Sequence, residues 1–202
     1  LDQSIKSLQS CAVLILSDYG KGVLEDAVLM PLLAEAQRLG RPVIVDPKGL
    51  DYSRYKGATL LTPNRRELAQ ASGGSTDDDV SVVAAGRRII EQCGVTAVLA
   101  TRSEQGMTLI DADDTRHLAA RAKEVFDVSG AGDTVAAAMA AGLAAGASLE
   151  LAARLANTAA GIVVGKAGTA VAHASEILAA LHEEAFLSGE EKVTTPFMAA
   201  SR

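Results

Sequence analysis

Short apolar runs recur along this chain at a spacing that few folds can accept. Residues 12–16, 42–46, 58–62 and 96–100 are rich in Val, Leu, Ile and Ala and are bounded by Gly, Pro or polar residues, the pattern of strands in a buried sheet. Longer stretches with helical periodicity separate them. One covers about 24–39, where Pro31 either kinks the helix or opens a new turn and Gly40 stops it. A second runs from Asn64 through about Ala71, with Asn64 as cap and Glu67 at capping-box spacing. A third is opened by the acidic cluster 77–79 and closed by Gly94. Strands alternating with helices of crossover length imply βαβ units and a mainly parallel sheet. Residues 107–110 and the stretch around His117 read as antiparallel additions joined by the turn 111–114. Helices follow over 133–145, 149–164 and 175–185, and no periodicity remains from Glu190 onward. The ligand site of such a sheet lies beyond the carboxyl ends of its strands. Asp18, Asp46, Asn64 and Thr101 all fall there, which points to an enzyme or a small-molecule binder.

A chain of 202 residues that is 49% hydrophobic can bury one sizeable core. Aromatics are only 3% and Trp is absent, so the apolar content is the small aliphatic kind that lets helices lie close on a sheet. A net charge of −6 offers no basic footprint for nucleic acid or an acidic membrane surface. Phosphate binding must then rely on local amides, a few cations or a metal ion. Two cysteines, Cys11 and Cys93, are too few for a disulfide framework and are expected to be buried. No stretch reaches the ~18 apolar residues of a membrane span, and a reducing cytoplasm is the expected location.

The segment Asp127-Val-Ser-Gly-Ala-Gly-Asp133-Thr134 leads straight into an Ala-rich helix. Gly130, Ala131 and Gly132 allow backbone amides to converge at the helix start, where the dipole also favours negative charge. Asp133 stands in the first turn of that helix. A carboxylate there can take the proton of an attacking hydroxyl while the amides hold a phosphoryl group. Glycine turns and Asp caps also begin many ordinary helices, so this motif needs its context.

With that context, the chain resembles the ribokinase-type (pfkB) carbohydrate kinases over nearly its whole length. Asp127-x-x-Gly-Ala-Gly-Asp133-Thr134 is similar to their C-terminal signature, and Asn64-Arg-Arg-Glu67 to their Asn-x-x-Glu motif. The resemblance implies a three-layer α/β/α ribokinase-like fold with a mainly parallel central sheet. It implies ATP with Mg²⁺, Asp133 as catalytic base, and Glu67 on Mg²⁺ through water beside Asn64. Thr101, Arg102, Ser103 and Gly106, in a turn along the nucleotide, and Asn157 near adenine and ribose follow by the same route. So does a monovalent cation, K⁺, held by Asp127 and Ser129 with the loop 165–168. Segments 17–24, 45–49 and 101–107 resemble heptose 7-phosphate kinases in particular. That places Asp18 on acceptor hydroxyls, Lys21 and Lys48 near phosphate and Asp46 near Mg²⁺. Asp18 and Lys21 also fit a plain solvated turn, and Asn64 with Glu67 a plain helix cap.

Family members ordinarily begin with a Gly-rich sugar-binding segment and a small lid sheet, which residues 1–10 do not resemble. The expectation is that 1–187 form the C-terminal nucleotide-binding and catalytic portion, lacking the lid and N-terminal strands, with 188–202 as a tail. The partners expected are ATP and a sugar phosphate, with no nucleic acid and no membrane. A homodimer and fusion to an adenylyltransferase are family-level expectations. Another hexose phosphate, pentose or nucleoside kinase, or an inactive nucleotide-binding fragment, stands as the alternative. Residues 161–167 are not a P-loop: they are one residue short between the glycines and carry Ala167 where Ser or Thr must reach Mg²⁺. His117, His173 and His182 have no metal-ligand spacing.

Overall fold

A computed structural model describes residues 1–122 and 125–188. The chain order is α1 (Asp2–Leu8), β1 (Leu14–Ser17), α2 (Asp26–Arg38), β2 (Val43–Asp46), β3 (Leu60–Leu61), α3 (Arg65–Ser72), α4 (Asp79–Cys93), β4 (Ala97–Thr101), β5 (Met107–Asp111), β6 (Thr115–Leu118), α5 (Ala131–Ala144), α6 (Leu149–Val164) and α7 (Ala174–Ser188). The six strands form one sheet in the order β1-β2-β3-β4-β5-β6. The first four are parallel and the last two antiparallel, as the strand spacing and the 111–114 turn predict.

Successive strands of β1–β4 lie side by side, so their right-handed crossovers put α2, α3 and α4 on one face. Residues of β2 sort between the two faces with the pleat. Val43 and Val45 join Leu29, Leu33, Val82 and Ile89 in the core beneath the crossover helices. Ile44 points the other way, with Leu60 and Leu99, against Met139, Ala153 and Ala156 of α5 and α6. Helix–sheet–helix makes three layers, each face closed by its own apolar cluster. Burying those side chains contributes on the order of 2 kcal/mol apiece.

Helix α2 runs through Pro31 without interruption, and the capping box at Asn64 and Glu67 is complete. Two expectations need correction. Run 12–16, expected to be buried, is an edge strand among the described residues: there β1 pairs with β2 alone, and its Ile15 is 41% exposed. Cys93 is buried, but Cys11 is exposed, because it sits in the turn after α1, where its amide bonds Leu8 O. Residues 2–8 form a helix that their polar sequence did not announce, held by Leu8 docking in the core. The tail expected from Glu190 lies outside the described residues, while Ser188 still belongs to α7.

Candidate active site

Helix α5 begins at Ala131, two residues earlier than its sequence suggests. Its cap, Gly130, has φ +77, a backbone state that a side chain disfavours. Asp133 thus becomes the third helical residue. Ala131 N is already committed to Val128 O at 3.2 Å, while Thr134 N closes the turn on Gly130 O. The amides of Gly132 and Asp133 have no backbone acceptor among the described residues. Of the residues expected to form an anion hole, Ala131 thus has its amide taken, while the amides of Gly132 and Asp133 remain open to a ligand.

Opposite this helix start, the ends of the parallel strands carry Asp18, Asp46, Asn64 and Thr101, as the topology requires. Asp46 ends β2 and is half-buried. Burial first, then the negative charges of Glu67, Asp133 and Asp18, push its carboxyl up to about 6, against the pull of Lys48. The sign of the stability effect follows. Ionising Asp46 in the folded protein is penalised, so the penalty grows as pH rises from 3.8 to about 6 and is complete above that. Asp46→Asn is therefore expected to raise Tm by a few degrees at pH 8 and to leave it unchanged near pH 4. Thermal melts without divalent cation measure this, and an equal shift at both pH values would contradict it.

Asn64 and Glu67 cap α3 reciprocally: Glu67 N donates to Asn64 Oδ1 at 2.9 Å and Asn64 N to Glu67 Oε2 at 3.0 Å. Glu67 Oε1 receives Lys48 Nζ at 2.9 Å. Both lie at the carboxyl end of β3, so this capping pair stands on the site side of the sheet. Among the described residues, no three His, Cys, Asp or Glu side chains converge to hold a metal ion directly. The donors present are carboxylate oxygens, among which Asp46 is disfavoured from ionising by burial and by its negative neighbours. They suit a hard cation such as Mg²⁺ that keeps most of its waters.

An apolar cavity of about 520 Å³ lies between the 101–106 turn and helices α5 and α6. Thr101, Ser103 and Gly106 line one side, Ala131, Gly132 and Val135 the second, Asn157 and Gly161 the third. Asn157 is buried and anchored through Nδ2 to Ala119 O at 2.8 Å. Arg102 is the exception in its turn. Its guanidinium is buried and bonds Asp79, Thr108 and Gln105, so it braces the turn from behind and does not line the cavity.

Asp18 is 7% exposed. Its Oδ1 accepts Gly20 N at 2.7 Å and its Oδ2 accepts Tyr55 Oη at 2.7 Å, with Arg54 Nη1 at 3.7 Å. That carboxylate shapes the loop after β1. Lys21 is exposed in the same loop. Asp127 Oδ1 accepts Ser129 N at 2.8 Å. Amide and hydroxyl donation from Ser129, then the Gly168 amide, hold the Asp127 carboxyl below the ordinary range. Both Phe126 N and Asp127 N bond Val164 O, so Asp127 and Ser129 are tied to the start of the 165–168 loop. Sequence reasoning did not single out Tyr19, whose phenol reaches Asp133; a Tyr in a Gly-flanked loop at a strand end was the available signal.

Residues 1–176 match the pfkB family carbohydrate kinase profile. The chain is 56% identical over 195 residues to the "Bifunctional protein HldE" of Paramagnetospirillum magneticum, covering 96% of this chain and 40% of that protein. Identity to the protein of the same name from Rhodospirillum rubrum is 55% over 187 residues, covering 92% and 38%. This chain thus spans about two fifths of the length of these curated relatives. Among solved structures, Arabidopsis thaliana ribokinase complexed with ribose and ATP superposes with a TM-score of 0.79 at 24% identity, over 90% of this chain and 59% of that one. Phosphofructokinase-2 from Escherichia coli in complex with potassium gives 0.77 at 24%, over 93% and 62%. At those identities the two structures establish the fold alone.

Proposed function

The chain belongs to the pfkB family of carbohydrate kinases, and from that premise we propose that it transfers the γ-phosphate of ATP to the anomeric hydroxyl of D-glycero-D-manno-heptose 7-phosphate, giving the 1,7-bisphosphate. The observation that carries the phosphoryl-transfer reading is the start of α5. A carboxylate in its first turn stands beside two amides without backbone acceptors and faces the carboxylate-lined strand ends. The heptose acceptor is supported by the resemblance of segments 17–24, 45–49 and 101–107 to heptose 7-phosphate kinases, and by 55–56% identity to two proteins called HldE.

In this mechanism Asp133 accepts the proton as the sugar oxygen attacks phosphorus. The amides of Gly132 and Asp133 hold the oxygens of the transferring group, where the helix dipole adds to their attraction. Thr101, Ser103 and Gly106 lie along the nucleotide, and Asn157 closes the far wall of its cavity. Lys21 and Lys48 offer positive charge to phosphate. Asp18 acts on the acceptor both as a ligand and by fixing the loop that carries Lys21. Glu67, through water, and Asp46 would hold a Mg²⁺ ion that supplies charge neutralisation for the phosphates, and Asp127 and Ser129 would hold a K⁺ ion beside the anion site. The relatives' greater length and the word bifunctional in their name support a second, adenylyltransferase activity in the whole protein.

The test is ADP release with Mg·ATP and K⁺ over heptose 7-phosphate, fructose 6-phosphate, ribose and adenosine. Turnover confined to heptose 7-phosphate is expected. Preference for another acceptor would replace the substrate assignment. Silence on all four from folded, ATP-binding protein would reduce this chain to a nucleotide-binding unit.

A further inference from the structure

We propose that Tyr19 is a positioning residue for Asp133, its phenol holding the carboxylate toward the acceptor and away from the amides of its own helix. The inference rests on the reading of Asp133 as base and adds a second residue to it. Tyr19 Oη lies 3.3 Å from Asp133 Oδ1 and 3.5 Å from Oδ2, so one donor spans both oxygens. It is the sole hydrogen-bond partner of that carboxylate among the described residues. The two residues are 114 positions apart, and the contact joins the loop after β1 to the start of α5.

The loop presenting Tyr19 is pinned on both sides. Asp18 is fixed by Gly20 N and Tyr55 Oη, and Gly20 turns the chain at φ +64. Tyr19 itself is 62% exposed, so apolar packing does not explain where its hydroxyl points.

An acid at the third position of a helix can fold back onto the N–H of the capping residue, here Gly130. Among the described residues Asp133 makes no such bond, and the amides of Gly132 and Asp133 have no backbone acceptor. A phenol that holds the carboxylate outward would preserve both halves of the site at once: a carboxylate free to take a proton, and donors free to take a phosphoryl oxygen. Bonds of 3.3–3.5 Å are long, as catalytic hydrogen bonds often are before substrate tightens them. The Asp46 carboxyl of β2 feels the field of Asp133 from the opposite side of the site.

Tyr19→Phe keeps the ring and removes the donor. Turnover is expected to fall about fivefold to tenfold, with the KM for ATP within about twofold. In the Asp133→Asn background the same substitution is expected to cost nothing further, because a positioning residue acts only through the group it positions. An unchanged kcat, or an equal loss in both backgrounds, would overturn the proposal. Failure of the base assignment is a separate result and would show as activity surviving in Asp133→Asn alone.

Discussion

Asp133→Asn is expected to fold normally and bind ATP with unchanged affinity, while turnover falls by about 100- to 10,000-fold, the range for removing a general base. The two side chains have nearly the same shape, and position 133 is exposed in the first turn of α5. Neither apolar cluster contains it, so stability has little reason to change. The apolar cavity proposed for the nucleotide lies between the 101–106 turn, α5 and α6, and its lining leaves Asp133 out. An amide cannot accept the sugar's proton at neutral pH, yet the open backbone donors at Gly132 and position 133 remain. The deficit should therefore sit in kcat and not in the KM for ATP. ADP-release kinetics beside calorimetric ATP titration would measure both, and substantial turnover in the variant would remove Asp133 as the base.

The second large effect concerns Gly106. Its backbone sits at φ +80, ψ −126, a region essentially closed to side chains. A methyl group there would lie 2.0 Å from Leu118 O and 2.5 Å from Ala120 N. Those are main-chain atoms of β6 and the segment after it, so no side-chain rotation relieves the overlap. Strain of about 1–3 kcal/mol from the dihedrals alone, plus displacement of that backbone, puts Gly106→Ala among the severe substitutions, at about 4 kcal/mol or more. Tm should drop by about 10 °C, and ATP affinity should fall with it because the 101–106 turn lines the cavity. A variant melting within a degree or two of the parent would mean that the turn relaxes freely.

Most of the architecture was legible because its signals are local. Short apolar runs such as Val43-Ile-Val45, bounded by Pro and polar residues, announce strands, and Asn64 with Glu67 announces its helix by spacing. The carboxyl-end placement of Asp18, Asp46, Asn64 and Thr101 followed from parallel pairing. Contacts made across the fold were not legible. Arg102 stands in a turn along the cavity, but only the packing of α4 reveals Asp79 drawing its guanidinium inward. Asp18 looked like a free ligand until Tyr55, 37 positions away, took one of its oxygens. Edge or centre is likewise a property of the sheet, so the residues of run 12–16 could not say that β1 has one neighbour. Tyr19 and Asp133 meet only because two distant segments converge.

The two apolar clusters on opposite faces of the sheet have a consequence for how the protein is made. The carboxylates at the strand ends and the 101–106 turn all precede residue 110, whereas the open amides, Asp133 and Asn157 arrive with α5 and α6. A nascent chain leaving the ribosome exposes the first set while the second is still in the exit tunnel. The helices that carry the proposed base are also those that close the second face of the sheet. Closing the second face of the sheet and assembling the proposed site are therefore one event.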